Sequence, residues 1–132
     1  MSAFVDTSVL VRYLTGDPPE MLAAAKRIVD ETQRLYLTGV VVAETAYVLT
    51  SFYEIPRTAV VDSLVTLLRK KNIGTYGLEQ DLAIRSLLMC RSSKRISFAD
   101  ASVWAATRSA GADAVYTFDE RFPTEGIELR RA

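Results

Sequence analysis

Residues 4–10, Phe-Val-Asp-Thr-Ser-Val-Leu, join a short apolar run to a helical pattern through one carboxylate. The apolar run over residues 3–5 predicts a buried strand, and the apolar spacing over residues 8–14 predicts a short helix. Asp6 stands at the junction of these two elements. A strand that passes directly into a helix begins the alternation that characterises α/β folds.

The alternation of strands and helices continues to the end of the chain. Further strands are predicted at residues 35–38, 73–76, 114–117 and, as an edge strand, 127–129. Further helices are predicted at residues 20–32, 40–51, 56–69, 78–91 and 98–109. Met21 and Ile28 are expected to face inward on the first of these helices, and the helix over residues 40–51 is expected to be buried because it is apolar nearly all round. The pattern indicates one α/β domain, residues 1–132, with a mainly parallel sheet.

Composition and charge limit the classes of protein to which the chain can belong. Apolar residues make up 49% of the sequence, which argues against intrinsic disorder. Sixteen basic residues balance sixteen acidic ones, so the chain lacks the positive excess typical of a nucleic-acid binder, although local basic patches are compatible with this total. The single cysteine, Cys90, cannot form an internal disulfide and is expected in the core. With no membrane-spanning stretch and no signal-peptide pattern, we expect a soluble, cytoplasmic protein.

Four acidic residues lie singly within apolar stretches: Asp6, Glu44, Asp100 and Asp119. Asp6 and Asp119 directly follow predicted strands, while Asp100 lies in the first turn of one helix and Glu44 in the first half of another. In open α/β sheets, ligands gather beyond the carboxyl ends of the strands. Carboxylates drawn toward an apolar core need a partner that offsets their lost hydration. We therefore expect the four to share a bound divalent cation.

Each acidic residue also has a purely structural alternative. Asp6 could cap the helix that follows it, and Asp119 could stabilise a turn. Asp100 follows Ser97 by three residues, which fits a capping box. Glu44, the only charged residue of its predicted helix, could form a buried salt bridge with a distant arginine. A capping carboxylate still has a second oxygen atom to offer a metal ion.

The side chains that are available limit the chemistry of such a site. The chain contains no histidine and one cysteine, which excludes a Ser-His-Asp triad, a histidine-rich zinc site and a cysteine cluster. Carboxylates without nitrogen or sulfur ligands suit Mg²⁺ or Mn²⁺. Such ions activate a bound water and neutralise charge on a phosphate, so phosphodiester hydrolysis fits best. The sequence has neither a P-loop nor a Gly-x-Gly-x-x-Gly turn.

Four segments of the chain, in this order and spacing, carry a family resemblance. They read Phe-Val-Asp6-Thr-Ser8-Val-Leu, Val-Ala-Glu44-Thr-Ala-Tyr-Val-Leu, Ser-Phe-Ala-Asp100-Ala and Tyr-Thr117-Phe-Asp119-Glu-Arg-Phe. From residue 4 to residue 122 the chain resembles the PIN-domain family, and most closely the VapC-like toxins of prokaryotic toxin–antitoxin pairs. The resemblance implies a three-layer α/β/α fold, with a central, mainly parallel sheet of four or five strands. It also implies a metal-dependent endoribonuclease that uses Mg²⁺, for which Mn²⁺ can substitute.

The resemblance assigns roles to individual residues. In that family, the acids at the positions of Asp6, Glu44, Asp100 and Asp119 form the metal-binding, catalytic pocket. Asp6 and Asp100 are then expected to bind the ion directly, and Glu44 and Asp119 to bind through water or at a second ion. The hydroxyl groups of Ser8 and Thr117 match family positions that support the pocket.

Basic residues near this pocket are candidates for contacts with RNA phosphates. These residues are Arg12, Arg91, Lys94, Arg95 and Arg121. For each of them, the alternative is a solvated surface charge. Tyr47 and Trp104 lie in apolar helical runs and are expected in the core, not as platforms for base stacking.

Partners follow mainly from the resemblance. It implies an RNA substrate, a homodimer and a cognate antitoxin, with promoter DNA bound only through the antitoxin. The helices over residues 20–32 and 56–69 could offer the antitoxin apolar grooves, or could simply pack on the sheet. Two other functions stay open: RNA processing without an antitoxin, and an acidic pocket that binds protein without catalysis. No contact with a membrane is expected.

Overall fold

The computed structural model describes residues 1–131, in which strands and helices alternate as predicted. The strands are β1 (Ser2–Phe4), β2 (Arg34–Thr38), β3 (Ile73–Tyr76), β4 (Ala114–Tyr116) and β5 (Glu128–Arg130). The helices are α1 (Thr7–Thr15), α2 (Pro19–Glu31), α3 (Gly39–Ser51), α4 (Arg57–Leu68), α5 (Gln80–Met89) and α6 (Phe98–Ser109). Every predicted element is present, with ends that differ from the prediction by no more than two residues.

All strand pairs in the described chain are parallel, which confirms the predicted α/β class. The order β1-β2-β3 forms one sheet, and β4 pairs with β5 in a second, two-stranded ladder. Within the first sheet, Ala3 lies opposite Leu35, and Leu35 lies opposite Ile73. Because these strands are parallel, the segments that follow β1, β2 and β3 leave from the same edge of the sheet.

The core lies between one face of the three-stranded sheet and the helices. Leu35 and Leu37 alternate with outward residues on β2 and are buried, as the period of two requires. Trp104 on α6 is fully buried, and its indole N–H donates to the Glu125 carbonyl oxygen at 2.8 Å, which confirms its predicted place in the core. Cys90 is also buried, and burial raises the pKa of its thiol, so a reactive role has no structural support.

The opposite face of the three-stranded sheet carries an aromatic cluster. The ring of Phe4 lies 5.4 Å from that of Tyr36 and 5.5 Å from that of Tyr76, measured between centroids. Phe4 and Tyr76 are both exposed. Among residues 1–131, no helix has the length and hydropathy needed to cross a bilayer.

Two helices expose apolar residues that were predicted to face inward. On α2, Met21 and Ile28 are exposed, and the helix packs through Ala25 and Val29 instead. The prediction that α3 is buried on all sides is also wrong, because this helix packs through one stripe only. Its other stripe faces solvent and consists of Val40, Glu44, Tyr47 and Ser51. Periodicity cannot show which stripe of an almost uniformly apolar helix meets its neighbours.

Candidate active site

Asp6 is the N-cap of α1, so its predicted capping role is confirmed. Its Oδ2 accepts hydrogen bonds from the Ser8 hydroxyl at 2.7 Å and from the Ser8 backbone N–H at 3.2 Å. These donors hold the pKa of Asp6 below its ordinary value, the Ser8 hydroxyl most of all. Within the described residues, Oδ1 of Asp6 accepts no hydrogen bond and is available to a ligand.

Glu44 lies on the exposed stripe of α3, one turn into the helix. It borders a first cleft of about 680 Å³, whose walls also include Asp6, Ser8, Arg12 and Tyr47. Across residues 1–131 the Glu44 carboxylate takes part in no hydrogen bond or ion pair, so the buried salt bridge considered from the sequence is not observed. Asp6 and Glu44 are therefore brought together in one cleft.

Asp100 lies at the start of α6, beside a second cleft. This cleft, of about 530 Å³, is bordered by Glu44 and by Ser97 and Ala99 at the α6 N-terminus. The Ser97 hydroxyl accepts a hydrogen bond from the Asp100 backbone N–H at 3.0 Å, which confirms one half of the predicted capping box. The Asp100 carboxylate does not complete the box within the described chain and accepts no hydrogen bond there. Helices α3 and α6 pack on each other, and residues of both line the second cleft, although Asp100 itself does not.

Asp119 follows β4 and is held in a tight turn, as its structural alternative predicted. Its Oδ1 accepts from the Arg121 backbone N–H at 2.8 Å and from the Arg121 Nε at 3.2 Å. The Thr117 hydroxyl accepts a hydrogen bond from the Asp119 backbone N–H at 3.0 Å. The two donors of Arg121 hold the pKa of Asp119 below its ordinary value, with a smaller contribution from the charge of Arg95. Asp119 lines a separate cleft with Phe118 and Arg121.

The four carboxylates therefore do not form one closed cluster. Among residues 1–131, no three acidic or cysteine side chains come close enough to make up a complete set of metal ligands. The expectation that they are drawn into the core is also wrong, because Asp6 and Glu44 are exposed and Asp100 and Asp119 half-buried. Val5 beside Asp6 and Ala101 beside Asp100 are buried, whereas Phe118 beside Asp119 is itself exposed.

The arrangement around Glu44 nevertheless has the chemistry that a hard cation needs. Mg²⁺ keeps several of its waters and binds proteins through one or two carboxylates, so a complete cage of protein ligands is unnecessary. Asp6 and Glu44 offer carboxylate oxygens with no protein partner among the described residues. Thr7 and Thr45, which follow these two acids in sequence, have buried hydroxyl oxygens without a hydrogen-bond partner. Buried polar atoms of this kind are usually satisfied by ordered water. The residues present fit a hydrated divalent ion.

Four of the five predicted basic residues fall into two groups, and the fifth, Arg95, is an exposed residue whose charge acts on Asp119. Arg91 pairs with Asp62 through two hydrogen bonds, at 2.8 and 2.9 Å, and Arg121 is bound to Asp119. In contrast, Arg12 lines the first cleft, where its guanidinium donates to the Ser8 carbonyl oxygen at 3.2 Å, and Lys94 lines the second. The position of Arg12 and Lys94 suits contacts with a bound polyanion better than that of the paired arginines.

Arg57, at the start of α4, is a site residue that sequence reasoning missed. Its guanidinium donates to the carbonyl oxygens of Cys90 and Ile96 and lies over the Phe98 ring, 4.4 Å from the centroid. It thereby fixes both ends of the loop that leads to Asp100, and it lines the second cleft. Its partners are backbone atoms more than thirty residues away, so no local sequence signal could have identified it.

Comparison with protein families agrees with this arrangement. The model of the PIN domain family matches residues 3–124, which is nearly the whole chain. No match was found among curated proteins. The parallel β1-β2-β3 sheet, the flanking helices and the acids at their starts are thus explained together: the chain belongs to the PIN-domain family, which has a nuclease-type fold.

Proposed function

We propose that this protein is a metal-dependent endoribonuclease that hydrolyses RNA phosphodiester bonds beside Glu44. The observation that carries the proposal is the position of Glu44 between two clefts. Asp6 shares the first cleft with Glu44, and the α6 N-terminus that bears Asp100 borders the second. A PIN fold with carboxylates but no histidine suits hydrolysis assisted by a hard cation, Mg²⁺ with Mn²⁺ as a substitute.

Each acidic residue has a role in this proposal. Asp6 and Asp100 would hold the ion directly, and Glu44 and Asp119 through water or at a second ion. A bound ion of this kind lowers the pKa of a bound water and neutralises charge on a phosphate. Ser8 keeps the Asp6 carboxylate in one orientation through its two hydrogen bonds, and Thr117 supports the turn of Asp119.

The chain's own residues would direct the reaction. Glu44 or Asp119 would orient the attacking water and accept its proton. The water oxygen would then bond to phosphorus, the bond from phosphorus to the 3′ oxygen would break, and that oxygen would take a proton from solvent water while the carboxylate returns its proton to solvent. Arg12 and Lys94 border the two clefts and would hold the phosphates on either side of the scissile bond.

The cellular role that we propose is that of a toxin in a toxin–antitoxin pair. The four family segments support it, and so does the apolar stripe that α2 exposes at Met21 and Ile28. A cognate antitoxin would cover such a stripe, the toxin would form a homodimer in the cytoplasm, and promoter DNA would be contacted only through the antitoxin. Growth arrest on expression, relieved by co-expression of a small neighbouring gene, would support this role. Full growth without that gene would contradict it.

Cleavage of RNA with and without metal tests the enzymatic proposal. Purified wild-type protein is incubated with RNA and Mg²⁺ or Mn²⁺, and then with a chelator in excess. We expect cleavage that the chelator abolishes, and no cleavage by Asp6→Asn or Asp100→Asn. If folded wild-type protein does not cleave RNA with either metal ion, the result would favour the alternative in which the acidic pocket binds protein without catalysis. If either variant cleaves at the wild-type rate, the assignment of that residue is wrong.

A further inference from the structure

We propose that the ring of Tyr47 is the stacking platform for one unstacked base of the RNA substrate. This inference rests on the proposed nuclease function and identifies a residue that positions the substrate. The sequence indicated a core role for Tyr47, and the structure contradicts that indication, because 64% of the residue is exposed.

The position of Tyr47 is unusual because it borders both clefts. Among residues 1–131, only Glu44, Tyr47 and Ser51 line both the first cleft and the second cleft, and all three lie on the exposed stripe of α3. Tyr47 follows Glu44 by three residues, which places its side chain next to the carboxylate on one helix face. The tyrosine ring therefore forms a ridge beside the carboxylate around which the reaction is proposed.

The ring of Tyr47 is free to receive a ligand. Within residues 1–131 its hydroxyl makes no hydrogen bond, and no guanidinium lies over its face. The neighbouring aromatic rings, in contrast, are occupied. Tyr53 donates its hydroxyl to Asp17 at 3.0 Å, and Phe52 packs edge-on against Tyr53 at 5.2 Å between centroids. Phe52 and Tyr53 thus form an apolar wall of the first cleft beside the Tyr47 ring, which has no such partner within the described residues.

The two clefts differ in a way that suits a nucleotide chain. The first is lined by Val11, Val48, Phe52 and Tyr53, and it can accept a flat apolar base. The second is bordered by Lys94 and by the N-terminus of α6, both of which attract a phosphate. A single strand that crosses the Tyr47 ridge would place a base on the ring and a phosphate beside Lys94. Its intervening phosphodiester bond would then lie over Glu44.

A duplex does not fit this arrangement, because its bases are already stacked on one another. Protein side chains reach the faces of bases only when a strand is unpaired, and aromatic stacking then serves any base. A peptide would also contact an aromatic ridge, but it has no repeated negative charge for Lys94 and Arg12. The combination of a free ring, two bordering cations and a carboxylate therefore favours single-stranded RNA.

Binding and cleavage of a short RNA test the inference. A fluorescein-labelled single-stranded RNA that contains one mapped cleavage site is titrated with protein in the presence of chelator, and its cleavage is then measured with Mg²⁺. Tyr47→Ala should weaken binding by about 5- to 100-fold, the range for loss of one base stack. Tyr47→Phe keeps the ring face and should bind like the wild type. Tyr76→Ala is the matched control, because Tyr76 has the same exposed fraction of 64% but lines neither cleft.

Removal of single bases from the RNA separates stacking from a general loss of structure. An abasic nucleotide at one position near the cleavage site should weaken binding by the wild type and cause no further loss in Tyr47→Ala. Equal binding by wild type and Tyr47→Ala, or a loss that is the same at every abasic position, would overturn the platform while leaving the nuclease intact. A change from dimer to monomer in Tyr47→Ala would overturn it too, by showing that the ring is a subunit contact. Absence of cleavage by the wild type would instead remove the proposed function itself.

Discussion

Asp6 and Asp119 each accept two hydrogen bonds from the residue two positions further along the chain, whereas the carboxylates of Glu44 and Asp100 accept none within the described residues. Ser8 provides both donors to Asp6, and Arg121 provides both donors to Asp119. In the described chain, Glu44 lines the second cleft and Asp100 directly follows α6 residues that line it, and neither carboxylate has a hydrogen-bond partner. In the first pair, Ser8 or Arg121 engages one carboxylate oxygen and leaves the other open, whereas within the described residues both oxygens of each carboxylate in the second pair are open to solvent or a ligand.

This difference suggests that the two pairs of carboxylates have different roles at the site. A carboxylate that accepts two hydrogen bonds is fixed in direction and stays ionised at lower pH, which suits a constant ligand. A carboxylate without partners can turn toward an ion, a water or a phosphate as these arrive. Asp6 combines both properties, because only one of its oxygens is engaged while it shares a cleft with Glu44. Asp119 is the most committed to its own turn, and it lies in a different cleft.

Neutralising either unpartnered carboxylate should have an effect as large as the loss of cleavage expected for Asp6→Asn. Asp100→Asn and Glu44→Gln are expected to lower the cleavage rate by at least about 100-fold, more than loss of a supporting residue typically costs. The fold should change little, because neither carboxylate bonds to the described protein, and loss of the Asp100 charge at a helix start costs less than about 1 kcal/mol. Cleavage rates and thermal unfolding check both expectations. If a variant loses activity because it is no longer folded under the assay conditions, the acid that it lacks has a structural role.

Neutralising Asp119 should have a smaller effect. We expect Asp119→Asn to lower cleavage by about tenfold, the lower end of the range for residues that act through others. The asparagine oxygen can still accept the Arg121 donors, so the turn should persist. A loss as large as that of Asp100→Asn, measured under the same conditions, would place Asp119 among the direct ligands and end the distinction between the two pairs.

Removing the Ser8 hydroxyl should change the pKa of Asp6. This hydroxyl is the main cause of the lowered pKa, so Ser8→Ala should raise the pKa toward the ordinary value of 3.8. A lowered pKa in the folded state stabilises the protein above the pKa of the unfolded chain, and this stabilisation is lost as pH falls through the folded value. Ser8→Ala should therefore be less stable than wild type at neutral pH, with a difference that shrinks in acid. Carbon-detected NMR titration of Asp6 gives the pKa directly.

Ser63→Ala is the control for this measurement, because Ser63 is an exposed serine on α4. It should leave the titration of Asp6 unchanged. An unchanged Asp6 titration in Ser8→Ala as well would mean that the Ser8 hydroxyl does not hold the carboxylate in solution.

The smallest effect is expected at Arg91. Its guanidinium is held by Asp62, so Arg91→Ala should change RNA affinity by less than about twofold, as for most surface substitutions. Lys94→Ala, its counterpart in the second cleft, should weaken binding to all sequences and reduce the dependence of log affinity on log salt by about one. A larger loss of RNA affinity in Arg91→Ala than in Lys94→Ala would mean that Arg91, and not Lys94, contacts the RNA phosphates.

The elements of the fold were predictable because their signals are local. The apolar spacing of α4, Ser97 at the start of α6 and Gly111 beyond its end specify helices from a few neighbouring residues. The exposure of Tyr47 was not predictable, because it depends on which stripe of α3 packs against other helices. Arg57 was missed for a related reason, since its partners are backbone carbonyl oxygens far along the chain. The sequence identified the four acidic residues, but only the structure shows which two of them accept hydrogen bonds from neighbouring residues and which two do not.

Cleavage of a circular single-stranded RNA tests the central proposal most directly, because a circle has no end and only an endonuclease can open it. Wild-type protein with Mg²⁺ should convert the circle to a linear product, and a chelator or the Asp100→Asn substitution should prevent this conversion. A circle that stays closed with folded wild-type protein and metal, or one that opens equally well with Asp100→Asn, would contradict the proposal.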